Sequence, residues 1–291
     1  MFDVLVTGSA LYTGEELVRD GYVYIRNGRV EDYGPSPVPE DYTYATLILG
    51  GEGRIIVPGL TMLIDAPAYP ARIYKPSLRD RAEIYSRLTP SEALTLSLPA
   101  VYEAHMAGAT TVIVEYESLE LASRLESTVG GYYGLAFPSC LGEPPSSEAV
   151  PVVTVYGEGC GGEGRVEARG DRGYHGGDPV LALFHRPSYT RLEGDPLVES
   201  ARLRELIGLE GPSIHREARA EIAVFDASRP PGAFLDRAGE DVIRRIYSSG
   251  VRLESLIAGQ TILVDQGEHL YIVEKQFSEA RRAGLRLLER R

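Results

Sequence analysis

The sequence predicts an α/β protein whose two ends are rich in β-strands and whose centre alternates helices with strands. Three observations support this prediction: short apolar runs with tight turns over residues 2–57, a repeated order of helix, glycine and β-branched strand over residues 89–138, and a return of strand patterns over residues 220–264. The 291 residues suffice for one large domain or two small ones, and a hydrophobic content of 43% is ordinary for a chain with a core.

The N-terminal stretch has the pattern of a small all-β unit. Residues 2–8 and 22–26 alternate like strands, and Asn27-Gly28 is a strong hairpin turn before the next strand. After a proline-rich connection, two further strands are expected at 45–49 and 54–57. Strands this short, joined by tight turns, do not form a βαβ unit.

The pattern changes after residue 58, where helices appear. Thr89 as N-cap, Pro90 at the first helical position and Glu92 three residues after the cap predict a helix start. Pro99 should kink or split this helix. The order of the next elements is that of a parallel α/β sheet, with a strand, a helix and a strand expected at 110–116, 119–128 and 132–138.

The second half of the chain mixes both kinds of element. Residues 157–177 are rich in glycine and charge without a helical period, so a surface loop or hairpin is expected there. Helices are expected at 196–207 and, as an amphipathic terminal helix, at 276–291. Strands or short apolar segments are expected at 150–156, 180–185, 220–226, 242–247, 251–258 and 261–264.

The composition disfavours several classes of partner. The net charge of −12 and the pI near 5.0 disfavour nucleic acid, because binding would bring like charges together. No apolar run is long enough to span a membrane, and the N-terminus opens into a strand pattern without the features of a signal peptide, so a cytoplasmic protein is expected. Cys140 and Cys160 give neither a disulfide framework nor a paired-cysteine zinc motif. Scarce asparagine with abundant arginine and glutamate suits a thermophile, although a GC-rich genome gives the same arginine bias.

The stretch from Gly53 to Ala66 is an apolar run that enters a Pro-Gly corner and leaves as a second apolar run. A strand, a rigid turn and a new strand are the structure that this pattern predicts. Pro58, Gly59 and Leu60 resemble the best-known signature of the amidohydrolase superfamily, in which a strand leads to Pro-Gly-(Leu/Phe) and then to an x-His-x-His pair.

Residues 208–226 resemble the segment by which the superfamily's chain re-enters its β-sandwich. Residues 89–114, with a strand entry at 108–112, and residues 242–267 resemble the deaminase and chlorohydrolase branch of that superfamily. The resemblance implies a (β/α)8 barrel of the TIM type, flanked by a composite β-sandwich that both chain ends build. The expected units are an N-terminal sandwich part at 1–58, a barrel at 59–212, and a C-terminal sandwich part with the terminal helix at 213–291.

The barrel that this resemblance implies is shorter than a complete one. About 155 residues separate Pro58 from Ser213, whereas a complete eight-stranded α/β barrel takes roughly 250. At about 30 residues for each βα unit, only some five units fit. A reduced or incomplete barrel leaves unpaired strand edges, which a loop, a helix or a second subunit usually covers, so a homo-oligomer is expected.

The residues at the family's first metal-binding positions are not metal ligands. The two histidines of the signature correspond to Ile64 and Ala66, neither of which can coordinate a metal. Dinuclear members also need a modified lysine inside the barrel, and neither Lys75 nor Lys275 is placed for that. The resemblance therefore implies a degenerate site, and no metal cofactor is expected.

Weaker candidates for chemistry remain elsewhere in the chain. His175 and His185 could bind a ligand or, with Glu158, Cys160 and Asp178, hold one zinc ion, because histidine, cysteine and carboxylate suit zinc. His105 is expected to be structural or exposed, and His215 and His269 are expected at the surface.

Two carboxylates, Asp65 and Glu115, fall at strand ends where barrel enzymes place active-site residues. Such a pair could perform acid–base chemistry without metal, although a solvated strand-end carboxylate is the commoner case.

Three hypotheses follow. The first is an amidohydrolase-like protein that has lost metal-dependent hydrolysis and acts as a binding or assembly protein. The alternative is a hydrolase or deaminase of non-peptide C–N bonds in a small cyclic substrate, with replacement zinc ligands around His175 and His185. A third is metal-free chemistry through Asp65 and Glu115. A small-molecule ligand is a candidate partner in each case.

Overall fold

The computed structural model describes residues 3–74, 76–161, 165–168, 173–175, 196–237, 239 and 241–289. Both chain ends contribute to one eight-stranded sheet with the strand order β14-β13-β12-β11-β4-β1-β2-β3. Antiparallel pairing of β4 with β11 joins the N-terminal strands to the C-terminal strands. The predicted composite β unit is therefore confirmed, as one continuous hydrogen-bonded sheet. Its strands are β1 (Asp3–Tyr12), β2 (Leu17–Arg26), β3 (Arg29–Pro35), β4 (Leu47–Pro58), β11 (Glu221–Asp226), β12 (Arg252–Ala258), β13 (Thr261–Asp265) and β14 (Glu268–His269).

Strand β4 is a single element where two strands were expected. It pairs in parallel with β1 from Val4↔Leu47 to Leu11↔Ile56, with a register shift between Gly8 and Ala10. Three glycines between the two expected strands have positive φ and bend the chain within the strand. The prediction of two strands at 45–49 and 54–57 is wrong because this bend does not interrupt the pairing.

A second sheet forms the α/β centre. Four parallel strands lie side by side in the order β5 to β8, and an antiparallel hairpin of β9 and β10 follows β8. In the described part of the chain this is half the strand number of a complete (β/α)8 barrel, so the predicted reduced barrel is confirmed. The strands are β5 (Leu60–Ile64), β6 (Ala109–Glu115), β7 (Tyr132–Pro138), β8 (Val152–Tyr156), β9 (Arg165–Ala168) and β10 (Gly173–His175).

A helix covers the exposed edge of the parallel sheet at β5. The helix α4 (Pro196–Leu206) packs along β5, and the Ser200 hydroxyl oxygen accepts the backbone N–H of Thr61 at 2.8 Å. This bond satisfies a donor that would otherwise be unpaired at a sheet edge. A helix of the same chain therefore covers this edge, as one of the three possibilities expected for an open barrel.

The remaining helices lie on the parallel sheet and on each other. They are α1 (Leu78–Tyr85), α2 (Pro90–Met106), α3 (Leu119–Val129), α5 (Val242–Ser249) and α6 (Glu274–Glu289). The capping box of Thr89 and Glu92 is present, and α2 continues through Pro99 without splitting. The segment 242–247, grouped with the C-terminal strands in the sequence prediction, lies in a helix. The strand expected at 180–185 lies outside the described residues.

The two cysteines form a disulfide, contrary to the sequence prediction. Cys140 follows β7 and Cys160 follows β8, and their Cα atoms are 4.6 Å apart. The prediction failed because the parallel pairing of β7 with β8 brings these strand ends together, a contact that the spacing of the cysteines does not reveal.

Among the described residues, no helix has the length and apolar character needed to cross a membrane.

Candidate functional site

The Pro-Gly corner sets where the first barrel strand begins. The backbone N–H of Gly59 donates to the carbonyl of Glu221 at 2.8 Å, which ties β5 to the large sheet. A Cβ atom at Gly59 would overlap the side chain of Thr110, so this close approach requires glycine. The register Ile64↔Val114 then places Asp65 beside Glu115, at the carboxyl ends of β5 and β6.

The side chains at the two predicted metal-ligand positions are buried and apolar. Ile64 is 6% exposed and Ala66 is fully buried, and both belong to the main hydrophobic core. These side chains offer no lone pair to a cation, and their surroundings are packed hydrocarbon. The residues present therefore do not fit the metal centre that the family signature would hold.

A buried ionic network occupies the carboxyl ends of the strands. We call it the carboxyl-edge cluster; it consists of Asp65, Arg81, Tyr85 and Glu115. The Arg81 guanidinium donates from Nε to Glu115 Oε1 at 2.6 Å and from Nη2 to Oε2 at 2.9 Å, and the Tyr85 hydroxyl donates to Oε1 at 2.6 Å. Arg81 Nη1 also donates to the Pro76 carbonyl at 3.0 Å. Glu115 thus has both oxygens engaged.

The charges of the carboxyl-edge cluster favour an ion pair between Arg81 and Glu115. Burial alone would lower the pKa of Arg81, but the Glu115 carboxylate raises it above its ordinary value. Burial, and then the Glu115 charge, raises the pKa of Tyr85 well above its ordinary value. The Asp65 charge contributes to both shifts in the raising direction, so it lies within electrostatic range of Arg81 and Tyr85.

This arrangement limits the chemistry available to Glu115. Both of its oxygens accept bonds from Arg81, and Oε1 also accepts the Tyr85 hydroxyl, so the carboxylate is fixed in a charge-assisted pair. The guanidinium also disfavours a second cation beside Asp65 by Coulomb repulsion. The commoner sequence expectation, a solvated carboxylate at each strand end, is wrong for both residues, because Asp65 is 3% exposed and Glu115 is fully buried.

Helix α1 supplies the two residues that sequence reasoning missed. A capping box of Ser77 and Asp80 starts the helix. Arg81 and Tyr85 then lie one turn apart on its buried face, together with Leu78 and Ala82. The sequence did contain one indication of this pair. Arg81 occupies the i+3 position of an otherwise apolar i, i+3, i+4, i+7 pattern, and an arginine buried there requires an acidic partner.

The second predicted site is only partly described. Glu158 lies exposed in the turn after β8, and His175 is the last residue of β10. Asp178 and His185 lie outside the described residues. The proposal of Cys160 as a zinc ligand is wrong, because its sulfur is bonded to Cys140 and is not a free thiolate.

Two histidines form a buried pair outside the carboxyl-edge cluster. The backbone N–H groups of Tyr271 and Ile272 donate to Nδ1 of His269 at 3.1 and 3.0 Å, so its Nε2 carries the proton and donates to His105 Nδ1 at 2.9 Å. Burial lowers the pKa of His269 to about 4 and that of His105 well below its ordinary value. The expected surface position of His269 is wrong, whereas His215 is exposed as expected.

Within the described ranges, no group of three or more histidine, cysteine or acidic side chains has the geometry of a metal site.

No protein-family model matches the sequence, and comparison with curated proteins gives no match. Solved structures do resemble the fold. The adenosine deaminase from Xanthomonas campestris with bound zinc superposes with a TM-score of 0.67 at 10% identity, over 99% of each chain.

Two further solved structures have the same likeness. The atrazine chlorohydrolase from Arthrobacter aurescens TC1 complexed with zinc gives a TM-score of 0.63 at 12% identity, over 97% of this chain and 100% of the other. A triazine hydrolase variant gives 0.66 at 12% identity, over 98% and 100%. The chain shares the fold of these three solved structures. The resemblance expected from the Pro-Gly corner is thereby confirmed at the level of the fold, which by itself does not establish an activity.

Proposed function

We propose that this amidohydrolase-fold chain has lost metal-dependent hydrolysis and acts as a binding or assembly protein. One observation supports the loss more than any other: the positions of the family's first two ligands hold Ile64 and Ala66, packed in the core. Beside them, Arg81 supplies the positive charge that neutralises Glu115, so that a metal ion is not needed for that purpose.

Exposed apolar side chains support the assembly part of this proposal. Leu270, Tyr271 and Val273 precede α6, Leu285 lies within it, and these four residues are 41–50% exposed. Exposed apolar residues concentrated on one segment are typical of surfaces that bind a partner. We therefore propose that the protein forms a homo-oligomer.

We also propose that the protein operates in the cytoplasm. The disulfide suits that compartment if the source is a hyperthermophile, in which intracellular disulfides are common.

Elemental analysis tests the loss of the metal. The chain, expressed without a histidine tag in medium supplemented with zinc and iron, should contain less than about a tenth of a metal ion per chain after gel filtration. The adenosine deaminase from Xanthomonas campestris, prepared in the same way, is the positive control, because its solved structure contains zinc. Close to one zinc or iron ion per chain would contradict the proposal.

Sedimentation equilibrium tests the assembly separately. The expected mass is an integer multiple, two or more, of 31.8 kDa. A single species at the monomer mass across the micromolar range would refute the homo-oligomer and leave the metal result untouched.

The alternative is a zinc-dependent hydrolase or deaminase acting on a non-peptide C–N bond of a small cyclic substrate. The zinc-bound structures with the same fold favour it. His175 and His185 would be the replacement ligands, and an activity that survives His185→Ala would exclude them. For metal-free chemistry through Asp65 and Glu115, Asp65→Asn should abolish activity while the fold is retained.

A further inference from the structure

A second polar site lies at the opposite end of β5 from the carboxyl-edge cluster. A cavity of about 430 Å³ opens beside the Pro-Gly corner and is lined by four arginines, Arg29, Arg204, Arg216 and Arg219. Its volume falls in the range of small-molecule sites. We call it the arginine cavity. Three acidic residues, Glu210, Glu217 and Glu221, line the same cavity.

Two of these arginines are neutralised within the protein. Arg204 binds both oxygens of buried Glu221 at 2.8 and 3.2 Å, and the hydroxyls of Thr110 and Thr111 donate to the same carboxylate at 2.8 and 3.0 Å. Arg216 binds Asp32 at 2.6 Å. Both guanidinium groups therefore have a carboxylate partner already.

Arg29 and Arg219 face each other across an antiparallel bridge. The flanking backbone bonds run from Val30 N–H to Ala218 O at 2.9 Å and from Ala220 N–H to Gly28 O at 2.9 Å. This pattern makes Arg29 and Arg219 a non-hydrogen-bonded pair, the pair type in which side chains approach most closely. Like charges directly opposite each other in this way are destabilising.

Neutral groups make the direct contacts of these two arginines, and the buried Glu221 charge also attracts Arg219. Arg29 Nη1 donates to the Glu217 carbonyl at 2.6 Å, and the Arg219 guanidinium lies 3.9 Å from the centre of the Tyr132 ring. Across the residues that the structure describes, neither guanidinium forms an ion pair with a carboxylate. Of the acidic residues at the rim, Glu210 lies 3.3 Å from His215, and Glu217 contributes its backbone to Arg29.

We propose that the arginine cavity binds a small phosphorylated molecule, with Arg29 and Arg219 gripping the phosphate. Two guanidinium forks at cross-strand spacing present parallel N–H donors to the oxygens of one tetrahedral dianion. The anion would remove the repulsion between the two cations, and the cavity beyond them has room for the organic part of the ligand. This site does not depend on whether the carboxyl-edge cluster has lost its metal.

Titration calorimetry with inorganic phosphate as the probe tests this site. The full-length chain should bind one phosphate, and Arg29→Gln and Arg219→Gln should each weaken binding at least tenfold. Arg286→Gln on α6 is the matched control, since it removes the same charge from an exposed position and should leave the affinity unchanged. Circular dichroism of each variant confirms that it is folded.

A thermal-shift measurement gives a second readout at constant ionic strength. Replacing chloride by phosphate should raise the Tm of the wild type and of Arg286→Gln, and should leave the Tm of the Arg29→Gln/Arg219→Gln double variant unchanged. Equal phosphate affinity in the wild type and the double variant would overturn the proposal. So would a chloride effect as large as that of phosphate, because the site would then be an unspecific positive patch.

Discussion

Removal of one partner of the buried ion pair between Arg81 and Glu115 should strongly destabilise the α/β centre. The Arg81 side chain is 7% exposed and that of Glu115 is fully buried, and two bonds of 2.6 and 2.9 Å join them. Among the residues that the structure describes, Arg81→Met leaves the Glu115 carboxylate in the core with the Tyr85 hydroxyl as its one side-chain donor. Breaking a buried pair from one side costs about 3–5 kcal/mol, because the remaining charge is uncompensated.

Urea unfolding followed by circular dichroism measures this loss. The midpoint of the Arg81→Met variant should fall, while the dependence of the unfolding free energy on urea stays that of the wild type. The Arg81→Met/Glu115→Met double variant should recover most of the loss, since no buried charge remains. Arg87→Met is the control, because its pair with Glu83 spans 3.8 Å between exposed side chains and should contribute nothing measurable.

A loss below about 1 kcal/mol for Arg81→Met, which is the scale of an exposed pair, would contradict this expectation. A double variant less stable than either single variant would also contradict it. In that case the cluster would be solvated or held by other contacts, and the argument that Arg81 replaces the charge of a metal would fail.

Three further predictions concern other parts of the fold. Burial lowers the pKa of His269 to about 4 from 6.5, so stability present above about pH 6.5 should be lost as the pH falls towards 4. The loss should be about 3 kcal/mol, and a pH series of urea unfolding should show a flatter profile for His269→Gln. The Cys140–Cys160 bond joins cysteines 20 positions apart in the sequence, and its reduction should lower the free energy of unfolding by about 3 kcal/mol. Urea unfolding with and without reductant measures this loss. Gly59→Ala places a methyl group against Thr110 and should destabilise the chain by about 1–3 kcal/mol in the same assay.

Each of these predictions has a contradicting result. An unchanged pH profile in His269→Gln would mean that the histidine titrates like an exposed one. Alkylation of both cysteines in the native, unreduced protein would mean that the disulfide does not form. For the glycine, Gly211→Ala is the control, because a Cβ there meets no atom within 4 Å, and equal losses in the two variants would exclude the proposed overlap.

Local sequence rules were sufficient for many elements of the fold. The capping box of Thr89 and Glu92 predicted the start of α2, and the Pro58-Gly59 corner predicted where the first barrel strand begins. Both depend on residues within a few positions of each other, where backbone and cap geometry decide the outcome. The composite large sheet came from the family resemblance, and local pattern would not have paired β4 with β11.

The contents of the candidate site depend on contacts distant in sequence, and these could not be predicted. Glu115 is 34 residues from Arg81, so its strand-end position was predictable but its ion pair was not. His269 follows a turn and has a surface pattern, yet it pairs with His105 on α2, 164 residues away. Tertiary packing, and not local propensity, determines whether such a polar side chain is solvated or buried.

A crystal structure of the protein, expressed and crystallised with added zinc, would show whether a metal site survives in this fold. We expect Ile64 and Ala66 to stay packed in the core, Arg81 to stay bonded to Glu115, and no metal to bind at the carboxyl ends of β5 and β6. A zinc ion at the carboxyl ends of β5 and β6, with Arg81 displaced from Glu115, would contradict the proposed loss of metal-dependent chemistry. A zinc ion bound by His175 and His185 would also contradict it.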